Sequence, residues 1–235
     1  MPATGVQGAP EPVPATGVQG ATRARRKWVS RRELPPAGAT VEHMGRPLRN
    51  AHPGEIYHVV TRGNNRSPVF VDEGDRLLFL DLLGRSAARH EWLVLAYCLM
   101  TTHYHLVVQL VTDRLSAGMC LLNGDFAKKA NRRNRRIGHV FNERFSASPI
   151  GDESHLLEAC RYVVLNPVRA GMCVRPESWR WSSYRACAGF EFAPSFLAEA
   201  ELLRLFSGNA DRARHAYRTF VSEGRQPVPG IGSRP

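Results

Sequence analysis

The chain has 235 residues, and its 32 Lys plus Arg against 21 Asp plus Glu give a formal charge of +11 and a pI near 10.1. That length suits one domain-sized core with appendages, and the cationic excess points to a polyanionic partner, nucleic acid first. No apolar run reaches the roughly 20 residues that cross a bilayer, and the N-terminus lacks the apolar stretch of a secretory signal. Five cysteines, odd in number and without a Cys-x-x-Cys pair, support neither a disulfide framework nor a zinc ribbon and fit a cytoplasmic setting.

In chain order, residues 1–43 are rich in Pro, Gly, Ala and Thr, and the run Pro2 to Ala9 returns unchanged as Pro14 to Ala21. Such a stretch buries too little apolar surface to offset its ordering entropy, so it is expected to stay disordered. A strand follows over Ile56 to Arg62, closed by a turn at Arg62-Gly63-Asn64-Asn65. Asp72 to His90 reads as an amphipathic helix, and Trp92 to Leu99 and His103 to Leu110 as two strands hairpinned through Thr101-Thr102. Asp113 to Asn134 is mostly helical, with Gly118 and Gly124 arguing against an unbroken rod. Val140 to Ile150 is extended.

A short helix is then expected from Ser154 to Leu165, because Pro167 disfavours the α conformation at Asn166 and should end the helix there or one residue earlier. Two further helical patterns, Ser195 to Phe206 and Asp211 to Glu223, precede a Pro- and Gly-containing tail. The order strand, helix, two strands, helix, strand is that of a ferredoxin-like α+β sandwich, an antiparallel sheet with helices on one face.

The most informative segment is Met100-Thr101-Thr102-His103-Tyr104-His105-Leu106-Val107-Val108. Strand side chains alternate, so His103 and His105 share one face while Tyr104 points to the other. Two such imidazoles make half of a divalent-metal site; the plainer reading is one solvated edge histidine and one hydrogen-bonded core histidine. Downstream, Tyr162 and Asn166 stand four residues apart and share a face across the last helical turn. Taken alone, Tyr162 reads as a core aromatic and Asn166 as a helix C-cap.

Lys128, Lys129, Arg132, Arg133, Arg135 and Arg136 form the densest basic run, more cations than a helix end needs, and point to phosphate contact. Arg46, Arg49, Arg62, Asn64 and Arg66 are secondary candidates for phosphate or base-edge contacts. His58 reads as a hydrogen-bonded structural histidine rather than a ligand. Trp179, Trp181 and Tyr184 read as packing residues.

The ordered set resembles the REP-associated tyrosine transposases, single-tyrosine members of the HUH endonucleases. It runs from Met44-Gly45-Arg46-Pro47-Leu48-Arg49 through Pro53 to Asn64, the Leu-Met-x-x-His-Tyr-His strand, Gly138-His139-Val140-Phe141 with Arg144-Phe145, Tyr162 to Gly171, and Trp181-Ser182-Ser183-Tyr184. The resemblance thus covers roughly residues 44 to 186. It implies a disordered extension over 1–43, a transposase domain over 44–190 and a helical extension with tail over 191–235, Met44 being a candidate start. Two departures stand out: Thr101-Thr102 replaces the more usual Pro-Asn, and Asn142-Glu143 replaces a Gln-Gly-like pair.

What the resemblance implies chemically is a strand transferase that cuts and rejoins single-stranded or hairpin DNA through a 5′-phosphotyrosine. Tyr162 would be the nucleophile, and the covalent adduct would keep the bond energy for rejoining. His103, His105 and Asn166 would hold Mg²⁺ or Mn²⁺. The competing readings are a noncatalytic DNA-binding protein that recognises repeat hairpins, which needs none of these four residues, and a metal-dependent phosphodiesterase that uses water and leaves no adduct.

Overall fold

The computed structural model describes residues 51–224. Four antiparallel strands, β1 (Ile56–Arg62), β2 (Trp92–Leu99), β3 (His103–Leu110) and β4 (Ser146–Ile150), form one sheet in the order β2-β3-β1-β4. The first three have the bounds expected from their residue pattern. The β2–β3 hairpin turns on Thr101-Thr102, closed by Met100 N donating to His103 O at 2.9 Å.

Helix α1 (Glu73–His90) starts at an Asp72 N-cap, whose carboxylate accepts from Asp75 N at 2.9 Å, and ends at Glu91 in the left-handed region. It packs on α2 (Leu115–Asn134). Despite Gly118 and Gly124, α2 is unbroken. At Gly118 the missing side chain leaves room for the Trp92 ring, whose nearest atom would lie 2.2 Å from an added Cβ.

Phe79 of α1 and Phe126 of α2 meet Phe70 and the β3 residue Tyr104, giving an aromatic core on one face of the sheet. Helix α3 (Glu153–Arg169) covers the other face and packs on β2 and β3. The antiparallel α+β sandwich is therefore present, with helices on both faces rather than one. The reason lies in the strands: five successive β3 residues, Tyr104 to Val108, are buried, so both faces need cover.

α3 also departs from expectation at its end, running through Asn166 and Pro167 to Arg169. In the last turn a proline forfeits only one backbone bond, here to Val163 O, and Pro167 and Val168 are buried. The stop comes later, where Gly171 adopts φ +68° and the closing bonds run Ala170 N to Asn166 O and Met172 N to Pro167 O, both 2.9 Å.

Past α3, residues 181–183 add backbone bonds along the outer edge of β2, Leu99 N to Trp181 O at 2.8 Å and Ser183 N to Tyr97 O at 3.0 Å. That covers a sheet edge that would otherwise expose unpaired groups. The short α4 (Tyr184–Cys187) and α5 (Glu199–Leu203) follow, α5 being much shorter than the pattern from Ser195 suggested. Last comes α6 (Ala210–Glu223), which buries Ala213, Tyr217 and Val221. Cys98, Cys160 and Cys187 are buried as small apolar residues; Cys120 is exposed. No helix among the described residues is long and apolar enough to cross a membrane.

Candidate active site on the α3 face of the sheet

The pairing Arg62↔His103 and Val60↔His105 places His58, Val60 and Arg62 on the same face as the two β3 histidines, beneath α3. His58, diagonal to His105 across the strands, brings its Nε2 within 3.0 Å of His105 Nδ1, the rings nearly parallel at 16°. The His103 and His105 ring centroids are 5.0 Å apart. From α3, Tyr162 presents its ring edge-on to both His58 and His105, each at 5.9 Å. His103, His105 and Tyr162, some sixty residues apart in sequence, thus share one site.

Tyr162 keeps 43 % of its surface exposed, unusual for a large aromatic on a packed helix. The Arg169 guanidinium lies 5.0 Å from its ring centroid, seven residues on along the same helix face. Asn166 donates its side-chain N–H to Tyr162 O at 3.0 Å, which leaves its amide oxygen uncommitted. No hydrogen bond among the described residues ties Asn166 to either imidazole of β3.

The imidazoles are held neutral. Burial pulls His103 and His58 down to about 4, helped by the charge of Arg62 on His103 and by the neighbouring His155 on His58. Burial takes His105 to about 2, with His58, His103 and Arg62 adding to it. A neutral imidazole is the form that binds metal. His105 Nε2 is buried with no hydrogen-bond partner among the described residues, although buried polar atoms are ordinarily paired. His103 Nδ1 is taken by Thr102 Oγ1 at 3.1 Å. Each β3 imidazole therefore has Nδ1 engaged and Nε2 left over, a donor set that suits a divalent ion completed by an oxygen ligand.

The cations divide into two groups. Lys128, Lys129, Arg132 and Arg135 are exposed. Arg133 instead lies against the N-terminus of α1, 2.7 Å from Asp72 and 3.0 Å from the fully buried Asp75, and Asn134 bonds the same Asp75 carboxylate. Arg133 stays exposed, yet part of its guanidinium is committed to these carboxylates, because the buried Asp75 needs partners. Arg136 donates to Pro68 O at 3.1 Å.

Of these residues Lys128 alone lines a groove of about 400 Å³, with Asn123, Asn131, His139 and Phe141. Arg62 and Arg66 are exposed and Asn64 half-buried, in the turn that pairs Gly63 with Phe141. Arg46 and Arg49 lie outside the described residues, as do the 1–43 extension and the tail. Trp179 and Trp181 pack, each under the Arg76 guanidinium.

Sequence reasoning missed Arg169, and it did not supply partners for His58 or a role for Thr102. The signal for Arg169 was Gly171, a better stop than Pro167; with the helix extended, Arg169 falls two turns after Tyr162 on its own face.

Residues 53–166 match the family model described as Transposase IS200 like. No curated protein matches the chain in sequence. Among solved structures, the REP-associated tyrosine transposase bound to a REP hairpin aligns with a TM-score of 0.55 at 16 % identity, over 64 % of this chain and 89 % of that one. That likeness is one of fold. The tRNA(His) guanylyltransferase from Saccharomyces cerevisiae, with a TM-score of 0.40 at 8 % identity over 74 % of this chain and 82 % of that one, is too distant to bear on the argument. The matched segment holds the whole four-stranded sheet together with His103, His105, Tyr162 and Asn166, so the part of the chain that carries the candidate site is similar to the IS200-like transposases.

Proposed function

We propose that the protein cleaves and rejoins single-stranded or hairpin DNA, with Tyr162 as nucleophile and with His103, His105 and Asn166 holding Mg²⁺ or Mn²⁺. The observation that carries this reading is a half-exposed phenol set edge-on to a buried imidazole whose Nε2 has no partner. A bound divalent ion would supply Lewis-acid charge to the scissile phosphate.

The chain's own residues do the rest. Tyr162 Oη forms a bond to phosphorus while the bond from phosphorus to the 3′ oxygen breaks; the phenol gives up its proton and the departing oxygen gains one, becoming a 3′-hydroxyl. Attack of a 3′-hydroxyl on the phosphotyrosine reverses the exchange and frees the phenol, so no energy source is consumed. Arg169 contributes a fixed positive charge beside the phenol, where phosphate charge accumulates in an in-line transfer. Arg62, Asn64, Arg66, Lys128, Lys129, Arg132 and Arg135 are the candidates to hold the strand through phosphates.

The test is incubation with labelled hairpins drawn from the flanks of the protein's own gene, in Mn²⁺, followed by denaturing electrophoresis. A labelled band migrating with the protein supports the reading. Binding without cleavage would make it a noncatalytic hairpin binder, and cleavage without an adduct would make it a hydrolytic phosphodiesterase.

A further inference from the structure

We infer that Thr102 and His58 are the positioning residues of the metal site: each occupies the Nδ1 of one β3 histidine, and together they fix the tautomer that leaves both Nε2 lone pairs free for a divalent cation. This rests on the metal-binding part of the function proposed above.

The two contacts are alike in kind and independent in origin. Thr102 Oγ1 lies 3.1 Å from His103 Nδ1 and comes from the hairpin turn next to the histidine it serves. His58 Nε2 lies 3.0 Å from His105 Nδ1 and comes from the neighbouring strand, 47 residues away. Both partners can either donate or accept, so each contact admits two arrangements.

If Thr102 and His58 donate, both histidines carry their hydrogen on Nε2, and at His105 that hydrogen is shut in the interior with nothing to bond. A buried polar atom left unpaired is costly, and only in the lone-pair form can a cation relieve that cost. If the histidines donate through Nδ1, the leftover atom at His105 is a lone pair instead, which a cation can satisfy. A neighbour that accepts from one ring nitrogen also makes the other more basic and holds the ring's orientation. His58 accepts at Nε2 when its own hydrogen sits on Nδ1.

The alternative role for His58, as a third ligand, conflicts with the geometry: the nitrogen it would offer is the one facing His105. Among the described residues no cluster of three or more His, Cys, Asp or Glu converges as a metal site. The site is then two imidazoles plus the amide of Asn166, and with so few ligands their orientation matters more.

Two measurements on the full chain test the inference. The first is ¹⁵N NMR of histidine-labelled protein without metal, which separates protonated from unprotonated ring nitrogens. It should show His103 and His105 with hydrogen on Nδ1; hydrogen on Nε2 of both would overturn the inference whatever the protein does with metal.

The second is Mn²⁺ titration calorimetry. Thr102→Val and His58→Phe, which cannot accept, should each weaken binding by about 10–100-fold. Thr102→Ser and His58→Gln, which put an acceptor back at about the same place, should stay near the parent. Parent-like affinity in both the Val and Phe variants would also overturn it. A parent that binds no Mn²⁺ would instead defeat the metal part of the proposed function, and the NMR result would still decide the tautomers.

Discussion

Tyr104 and His105 are neighbours on β3, yet they live in opposite kinds of environment. Tyr104 is fully buried, packed on Phe79 at 4.5 Å, and its hydroxyl donates to Asn123 Oδ1. Both groups of that pair are satisfied by each other. His105, one residue on, is almost as buried but keeps a nitrogen with no partner, under a helix whose tyrosine reaches solvent. One face of the sheet is built to be stable; the other leaves bonding capacity unused where an ion and a phosphate could take it up.

The sharpest way to break that contrast is to change each tyrosine. Tyr162→Phe should abolish cleavage and the covalent adduct, with unfolding midpoint and hairpin affinity near the parent, because only the nucleophilic oxygen is lost. Full adduct formation by this variant would falsify the assignment. His103→Ala and His105→Ala should each lose Mn²⁺-dependent cleavage, and Asn166→Ala less, since an amide oxygen is a weaker ligand than imidazole; calorimetry with unchanged Mn²⁺ affinity in both histidine variants would remove the shared site.

Tyr104→Ala should act on the other side of the comparison, destabilising the fold by about 3–5 kcal/mol through loss of a large buried ring. Urea titration reads this directly, and a loss below about 1 kcal/mol would mean that the aromatic core is not what holds the sheet.

A smaller effect separates the cations. Neutralising Lys128, Lys129, Arg132 and Arg135 should weaken hairpin binding across sequences and flatten the slope of log affinity against log salt by about 0.7 for each single-strand phosphate no longer neutralised. Arg133→Gln should leave that slope unchanged and lower the melting temperature, since it deprives buried Asp75 of a partner. Equal slopes for the parent and the fourfold variant would make the exposed run a solvated surface only.

A separate effect is on pH. The histidines of the α3 face titrate near 4 or below when folded, against about 6.5 in an unfolded chain. Below 6.5 the unfolded state takes up protons that the folded state refuses, so stability is fully present above 6.5 and falls as pH drops toward 4. Melting temperatures of metal-free protein across pH 4.5 to 7.5 should show that decline, less steeply in His58→Gln, which has one fewer such imidazole.

Much of the scaffold was legible in the chain because its signals are local. Strand alternation gave the bounds of β1, β2 and β3 and put His103 and His105 on one face; Asp72 marked the start of α1. The end of α3 was misjudged because a local rule about Pro167 was weighed above burial of that proline and the turn at Gly171, and with it went Arg169. Cation counting likewise gave a basic run without separating Arg132 from Arg133, both exposed, of which the second meets a buried carboxylate.

By itself, then, the sequence determined the antiparallel α+β order, the histidine pair, and the tyrosine–asparagine spacing on one helix. Only the tertiary structure decided that α3 lies on the face opposite α1 and α2, that Tyr162 meets His105, and that His58 reaches His105 from another strand. The physical reason is that residue periodicity is a property of one segment and is written in it. Which segments meet depends on how all the apolar faces can be covered at once, and that is settled only when the chain packs.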